Sequence, residues 1–161
     1  MLLALIERRS GPTVLFTERA AHLKDHAGQV SLPGGRLAPG ESAAQAALRE
    51  AHEEVGLTPA TVDVIGSLDG FLTGTGFTIT PVVGIVTDDG FVATPDPHEV
   101  AGVFEVPLGV ILDRTAMSVG YFERHGSRLL TYELHHGGRR IWGATAAVLR
   151  NFQDVILDED I

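Results

Sequence analysis

Cysteine is absent from this chain of 161 residues, and basic residues are few. The lack of cysteine excludes disulfides, thiolate metal sites and a cysteine nucleophile. Twelve lysine and arginine residues stand against 21 acidic ones, which gives a formal net charge of −9. Non-specific binding to nucleic acid usually needs a basic face, so the acidic balance argues against it. An anionic substrate would therefore need local help from metal ions or from a few well-placed cationic side chains.

Long apolar runs are also missing. The first residues, Met1 to Glu7, are mostly apolar, but they are too few to span a membrane and lack the basic start and cleavage site of a signal peptide. We therefore expect a cytoplasmic protein without a membrane partner. Hydrophobic residues make up 44% of the chain, and no low-complexity tract or long linker interrupts it. Residues 1–161 are thus expected to form one domain with one substantial core.

The hydrophobic pattern predicts strands interrupted by two or three helices. The strand candidates are Leu2–Ile6, Thr13–Thr17, Thr61–Leu68, Thr78–Val86, Val103–Val106, Arg128–Leu134 and Arg140–Trp142, with a hairpin turn at 9–12. The helix candidates are residues 43–55, a short segment at Leu108–Asp113 and a closing helix at Ala144–Ile156. This order indicates a mixed sheet packed between helices, an α+β or α/β sandwich, rather than a repeat or a bundle.

The segment from 35 to 57 carries the clearest signals. Ser42 and Gln45 have the spacing of a capping box, so a helix should begin at about Ala43, and Gly56 is a natural residue to end it. One face of this helix is apolar and largely made of small residues, which allows close packing on a sheet: Ala44, Ala47, Leu48, Ala51 and Val55.

Three carboxylates, those of Glu50, Glu53 and Glu54, project together from another face of the same helix. Like charges at this spacing cost an isolated helix about 0.2–0.5 kcal/mol per pair. Two explanations are open: a solvated acidic face eased by Arg49 and His52, or a hard divalent cation such as Mg²⁺ held by the carboxylate oxygens. The spacing alone does not decide between them.

The residues around the three glutamates favour the cation. Five residues separate Gly35 from Glu41, and seven more precede the run REAHEEVGL at 49–57. This pattern resembles the Nudix box, G-x5-E-x7-R-E-U-x-E-E-x-G-U, in which U is a bulky aliphatic residue. Every charged and glycine position matches, and Ala51 at the first aliphatic position is the one departure. The resemblance to Nudix hydrolases implies an αβα sandwich that binds Mg²⁺ or Mn²⁺ for attack of water on a nucleoside-linked diphosphate.

The resemblance also assigns roles to single residues. Glu50, Glu53 and Glu54 match the metal-binding carboxylates of the family and form the catalytic set. The carbonyl of Gly35 is a further candidate ligand. Arg49 is expected to orient the glutamates through salt bridges.

Two other glutamates receive more distant roles. Glu41 is expected to support the loop rather than reach the reacting phosphorus. Glu99 is an additional catalytic candidate, because Nudix enzymes often supply another carboxylate from a loop beyond the box. The alternative for Glu99 is an ordinary carboxylate on a loop surface.

A second resemblance lies just upstream of the box. Residues 15–20, LFTERA, and 26–35, HAGQVSLPGG, are similar to the signature L-L-T-x-R-S/A … H-x-G-Q/E-V-S-F-P-G-G of the coenzyme A pyrophosphatase subfamily. It implies cleavage of coenzyme A or acyl-CoA to 3′,5′-ADP and 4′-phosphopantetheine. Arg19, Lys24 and His26 would lie near the phosphates, with Gln29 as a fourth substrate-binding candidate. Each also has an ordinary alternative, as a surface cation or a loop hydrogen-bonding group.

Three functions remain open from the sequence: a coenzyme A pyrophosphatase, a Nudix hydrolase of another nucleoside diphosphate derivative such as ADP-ribose, and a Nudix ligand-binding module without catalysis. The intact glutamate set counts against the third, and the upstream signature favours the first. Trp142 is expected in the core. Because members of the subfamily often dimerise, the apolar strand Leu2–Ile6 is a candidate contact for a homodimer.

Overall fold

The computed structural model describes residues 1–23, 28–74, 76–124 and 126–158. Within these ranges the strands are β1 Leu2–Ile6, β2 Thr13–Arg19, β3 Val30–Ser31, β4 Val62–Ser67, β5 Phe71–Leu72, β6 Thr78–Ile79, β7 Val82–Val86, β8 Val100–Pro107, β9 Met117–Arg124, β10 Ser127–His136 and β11 Arg139–Trp142. The helices are α1 Ala43–Val55, α2 Leu108–Leu112 and α3 Gly143–Leu157, with a 3₁₀ turn at Pro59–Thr61. No helix in the described ranges is long and apolar enough to cross a membrane.

A mixed six-stranded sheet forms the centre of the fold. Its strands follow the order β3-β2-β1-β7-β4, and β8 pairs with β2 along nearly its whole length. Strand β1 runs antiparallel to β2 and parallel to β7. Strands β9, β10 and β11 form a second, three-stranded antiparallel sheet. The predicted mixed sheet is therefore confirmed.

Each face of the central sheet has its own hydrophobic core. On one face α1 packs its small residues, including Ala47 and Ala51, against side chains of β1, β2 and β7. On the opposite face α2 and α3 cover the alternate side chains of the same strands, among them Phe16 and Leu3. Because side chains alternate across a strand, one set of strands fills both cores. The helix–sheet–helix layering confirms the predicted α+β sandwich.

Strand β1 lies inside the central sheet, whereas a dimer contact through this strand would need it at the edge. It is hydrogen-bonded on one side to β2 and on the other to β7, and Leu2, Leu3 and Ile6 are fully buried. A central strand has no free edge to offer to a second chain. The expectation of a homodimer contact at Leu2–Ile6 is therefore wrong.

Two further expectations need correction. The predicted strand Thr78–Val86 is divided into β6 and β7, because Pro81 lies between them and a proline has no N–H to donate to a ladder. Trp142 belongs to neither core; it is half-buried at the end of β11, where its ring lies 5.5 Å from that of Phe122. Strands β3, β5 and β9 were not predicted.

Candidate active site

Helix α1 is fixed at both ends by the predicted caps. The Ser42 hydroxyl accepts a hydrogen bond from the Gln45 backbone N–H at 3.2 Å, and the Ser42 N–H donates to Gln45 Oε1 at 2.9 Å. Gly56 ends the helix in the left-handed region, with φ of 72°, a conformation that glycine adopts without strain. The capping box and the glycine stop are both confirmed, and they fix where α1 begins and ends.

The three glutamates of α1 lie in different environments. Glu54 is buried and only 5% exposed. The side chain of Glu50 is 15% exposed and that of Glu53 is 52% exposed. The sequence predicted one shared acidic face. In the structure the three carboxylates differ in exposure, from the buried Glu54 to the solvent-exposed Glu53.

Arg49 binds the loop and the helix together. Its Nε and Nη2 donate to the two oxygens of Glu41 at 2.8 and 3.0 Å, and its Nη1 donates to Glu50 at 2.8 Å and to Glu53 at 3.1 Å. The two hydrogen bonds to Glu41, together with one from the Ala38 N–H, hold the pKa of Glu41 down at about 2. The same arginine thus offsets the repulsion between Glu50 and Glu53. Among the described residues, no three acidic, histidine or cysteine side chains lie close enough together to hold a metal ion without rearrangement.

Glu54 is the most perturbed carboxyl group of the site. Burial raises its pKa to about 7, and the negative charges of Glu50 and Glu99 add to the rise. The Gly34 N–H, which donates to Glu54 Oε2 at 3.0 Å, and the nearby Arg19 act in the opposite direction. A carboxylate held in this way gains strongly from a neighbouring cation, because attraction to the cation offsets both the desolvation cost and the repulsion.

Gly35 brings its backbone directly against the Glu50 carboxyl group. A Cβ atom at this position would collide with all three atoms of that carboxyl. The site therefore combines close backbone approach with carboxylate oxygens of graded burial, the hard oxygen donors that Mg²⁺ and Mn²⁺ prefer. By the chemistry of this donor set, the residues fit a divalent cation.

A cavity of about 700 Å³ opens beside the box. Gly34 and Gly35 line it together with Arg19 and Gln29 of the upstream segment. The Arg19 Nε is buried and has no hydrogen-bond partner among the described residues. The structure thus brings two of the four substrate-binding candidates to the box; the other two, Lys24 and His26, lie outside the described residues.

Glu99 lies on the loop that leads into β8. Its side chain is exposed, and its carbonyl accepts a hydrogen bond from the Ala20 N–H at 2.9 Å, which joins this loop to the end of β2. The Glu99 carboxylate acts electrostatically on Glu54. The loop candidate therefore comes near the helix glutamates without entering the buried part of the site.

The sequence did not single out several residues of the cavity wall. Arg36, Phe77, Ile79 and Thr145 all line it. Arg36 follows Gly35 directly, so its position inside the box could have indicated a place in the site. Phe77 is an isolated aromatic residue in the segment TGTGFT at 73–78, which is a weaker indication.

Comparison with known proteins agrees with this geometry. The NUDIX domain model matches residues 2–123. An uncharacterized Nudix hydrolase NudL of Yersinia enterocolitica is 40% identical over 143 residues, covering 88% of this chain and 73% of the relative. A protein of the same description from Cronobacter sakazakii is 42% identical over 151 residues, covering 92% and 78%.

Solved structures show the same fold. The Nudix hydrolase RenU of M. smegmatis matches with a TM-score of 0.65 at 22% identity, covering 99% of this chain and 85% of its own. The NUDIX domain of Shewanella oneidensis NrtR, complexed with ADP ribose, matches with a TM-score of 0.51 at 21% identity, covering 69% and 72%. The family match spans most of the chain, from β1 to β9, and includes the capped helix with its glutamates. This chain therefore belongs to the Nudix family and is a Nudix hydrolase that acts on nucleoside diphosphate derivatives.

Proposed function

We propose that the enzyme hydrolyses the diphosphate bond of coenzyme A or acyl-CoA and releases 3′,5′-ADP and 4′-phosphopantetheine. The observation that carries this proposal is the shared cavity: Arg19 and Gln29, which belong to the upstream signature, line the same space as Gly34 and Gly35 of the box. The glutamates do not themselves line this cavity, but Gly35 lies directly against the Glu50 carboxyl, so a diphosphate held at the glutamates would lie beside the signature residues.

Glu50, Glu53 and Glu54, with the carbonyl of Gly35, would hold Mg²⁺ or Mn²⁺. When bound, the ion neutralises phosphate oxygens and lowers the pKa of the attacking water. Glu54 carries a pKa of about 7, so near neutral pH its carboxyl is partly protonated and must release that proton to bind a cation. The Gly34 N–H keeps one oxygen of Glu54 oriented through this change.

We assign different roles to the two arginines Arg49 and Arg19. Arg49 is fully engaged with Glu41, Glu50 and Glu53, so we assign it the orientation of the carboxylates. The buried Arg19 Nε lacks a hydrogen-bond partner among the described residues, so we assign Arg19 to a substrate phosphate, for which a guanidinium is well suited. Glu99 is proposed as the additional carboxylate, since its charge reaches Glu54.

A substrate panel tests the assignment. Coenzyme A, dephospho-coenzyme A, ADP-ribose and a dinucleoside diphosphate should be compared with Mg²⁺ and with Mn²⁺ at fixed salt, and the products identified by mass. We expect the highest kcat/KM for coenzyme A, with 3′,5′-ADP as a product. A higher kcat/KM for ADP-ribose would overturn the coenzyme A assignment and leave the Nudix chemistry in place.

A further inference from the structure

An arginine and a phenylalanine lie side by side at the opening of the cavity. Arg36 follows Gly35 in the box, and Phe77 belongs to the β5–β6 hairpin. The Arg36 Cζ is 5.0 Å from the centroid of the Phe77 ring, within the range of a cation–π contact. Both residues line the cavity and both are exposed, so the pair marks its rim.

Phe77 is held in place without being buried. Phe77 is 52% exposed, although a phenylalanine used for packing is ordinarily covered. The Thr73 N–H donates to the Phe77 carbonyl at 2.8 Å, and the Phe77 N–H donates to the Thr73 hydroxyl at 3.1 Å. These two hydrogen bonds hold the backbone of Phe77, which presents its ring to the cavity and lowers the entropy cost of binding a ligand there.

Arg36 has an anchored backbone and an uncommitted charge. Its carbonyl accepts a hydrogen bond from Arg49 Nη2 at 3.0 Å. Its guanidinium forms no ion pair with any acidic side chain in the described ranges, whereas Arg8, Arg49 and Arg140 each do. In a chain with a net charge of −9, a cation paired only with an aromatic ring at a cavity rim is available to an incoming ligand.

We propose that Arg36 and Phe77 form a stacking site for the purine base of the substrate. Aromatic rings and guanidinium planes are the surfaces on which flat bases stack. The pantetheine arm has no aromatic ring to stack there and instead suits the aliphatic wall formed by Ala43, Ala46 and Ile79. Because Arg36 adjoins Gly35, a nucleoside linked to a diphosphate at the glutamates would reach this pair.

The stacking site deepens the proposed function and rests on it in one respect, namely that a diphosphate binds at the box. It does not depend on coenzyme A being the substrate, because stacking recognises the base and not the 3′-phosphate. The pair therefore supplies affinity for any purine nucleoside diphosphate, while discrimination among them stays with Arg19.

Paired ligands isolate the contribution of the base. Binding of α,β-methylene-ADP and of base-free methylenediphosphonate to the full chain should be measured by calorimetry with Mg²⁺. We expect Phe77→Leu, and separately Arg36→Ala, to weaken α,β-methylene-ADP about tenfold, the size of one lost stacking contact, while methylenediphosphonate binds as to the wild type. Phe77→Tyr keeps a ring and should retain tight binding.

Phe71→Leu is the matched control, since Phe71 is a 37% exposed aromatic residue of the same hairpin that does not line the cavity. Phe71→Leu should bind both ligands as the wild type does. The proposal is overturned if the wild type gains nothing from the nucleoside, if Phe77→Leu matches Phe71→Leu, or if methylenediphosphonate is weakened equally. Failure of coenzyme A in the substrate panel would remove the coenzyme A assignment without affecting this comparison.

Discussion

Arg49 donates two parallel hydrogen bonds to Glu41, from Nε at 2.8 Å and from Nη2 at 3.0 Å. Its Nη1 donates to Glu50 and Glu53. A planar guanidinium makes these contacts together because its donors form a rigid fork. The Arg49–Glu41 pair therefore ties the loop that precedes α1 to two of the glutamates on α1.

Replacing Arg49 by lysine keeps the charge and removes the fork. Because the glutamates then lose their common orienting group, we expect kcat to fall about 10–100-fold, the usual cost of losing a group that orients metal ligands. The circular dichroism spectrum should stay unchanged. Arg128→Lys, at an exposed arginine over the Tyr121 ring of β9, is the matched control. A kcat equal to that of the control would show that the paired geometry is dispensable.

Glu54 should make the stability of the metal-free protein depend on pH. Its folded pKa is about 7, against roughly 4.3 for a glutamate in an unfolded chain. The folded state holds this proton more tightly, so its stabilisation is complete below about pH 4.3 and is lost as the pH rises to about 7. Between pH 5 and pH 7.5 the free energy of unfolding should fall by ~2–3 kcal/mol from this group.

Denaturant unfolding in the presence of a chelator measures that fall. Glu54→Gln preserves the shape of the side chain and cannot ionise, so the variant should lose the pH dependence contributed by Glu54 and be more stable than the wild type at pH 7.5. Parallel stability curves for the two proteins would show that Glu54 ionises normally in the fold.

Gly35→Ala tests the close approach of the loop to Glu50. The added Cβ would collide with the Glu50 carboxyl, so either the loop or the carboxylate must move. We expect kcat to fall at least about tenfold, as for other displaced metal ligands. Gly102→Ala adds the same atom where it meets nothing within 4 Å and should leave kcat unchanged. Equal kcat values for the two variants would contradict the role given to Gly35.

Arg19→Ala should alter the preference between substrates more than the rate of the chemical step. A charge-assisted contact to phosphate contributes roughly 1.5–3 kcal/mol, about a tenfold to hundredfold effect. The wild type should therefore favour coenzyme A over dephospho-coenzyme A, and Arg19→Ala should narrow that difference at fixed salt. The exposed Arg9→Ala serves as control. If Arg19→Ala discriminates between coenzyme A and dephospho-coenzyme A as the wild type does, the substrate assignment stands, but Arg19 has no role in that discrimination.

Local signals made α1 predictable. The capping box at Ser42 and the stop at Gly56 depend on residues a few positions apart, and both are present as expected. The burial of Glu54 was not predictable in the same way. Spacing shows that three glutamates share one side of a helix, but only the packing of α1 on the sheet decides which of them is covered.

Long-range pairing accounts for the other misses. An apolar strand at Leu2–Ile6 fits a central position and an exposed edge equally well, and the choice depends on β7, about 80 residues away in sequence. The contact between Arg36 and Phe77 depends likewise on how the β5–β6 hairpin folds back over the box. No periodicity within either segment carries that information.

Hydrolysis of coenzyme A by metal-free and metal-loaded protein tests the central claim most directly. The enzyme should be stripped with a chelator, assayed, and assayed again after addition of Mg²⁺ or Mn²⁺, with Glu54→Gln in parallel. We predict no release of 3′,5′-ADP from the stripped protein, full recovery with either ion, and turnover in Glu54→Gln lower by orders of magnitude although the variant stays folded. Undiminished release of 3′,5′-ADP by stripped protein in excess chelator would contradict a metal-dependent mechanism at these glutamates.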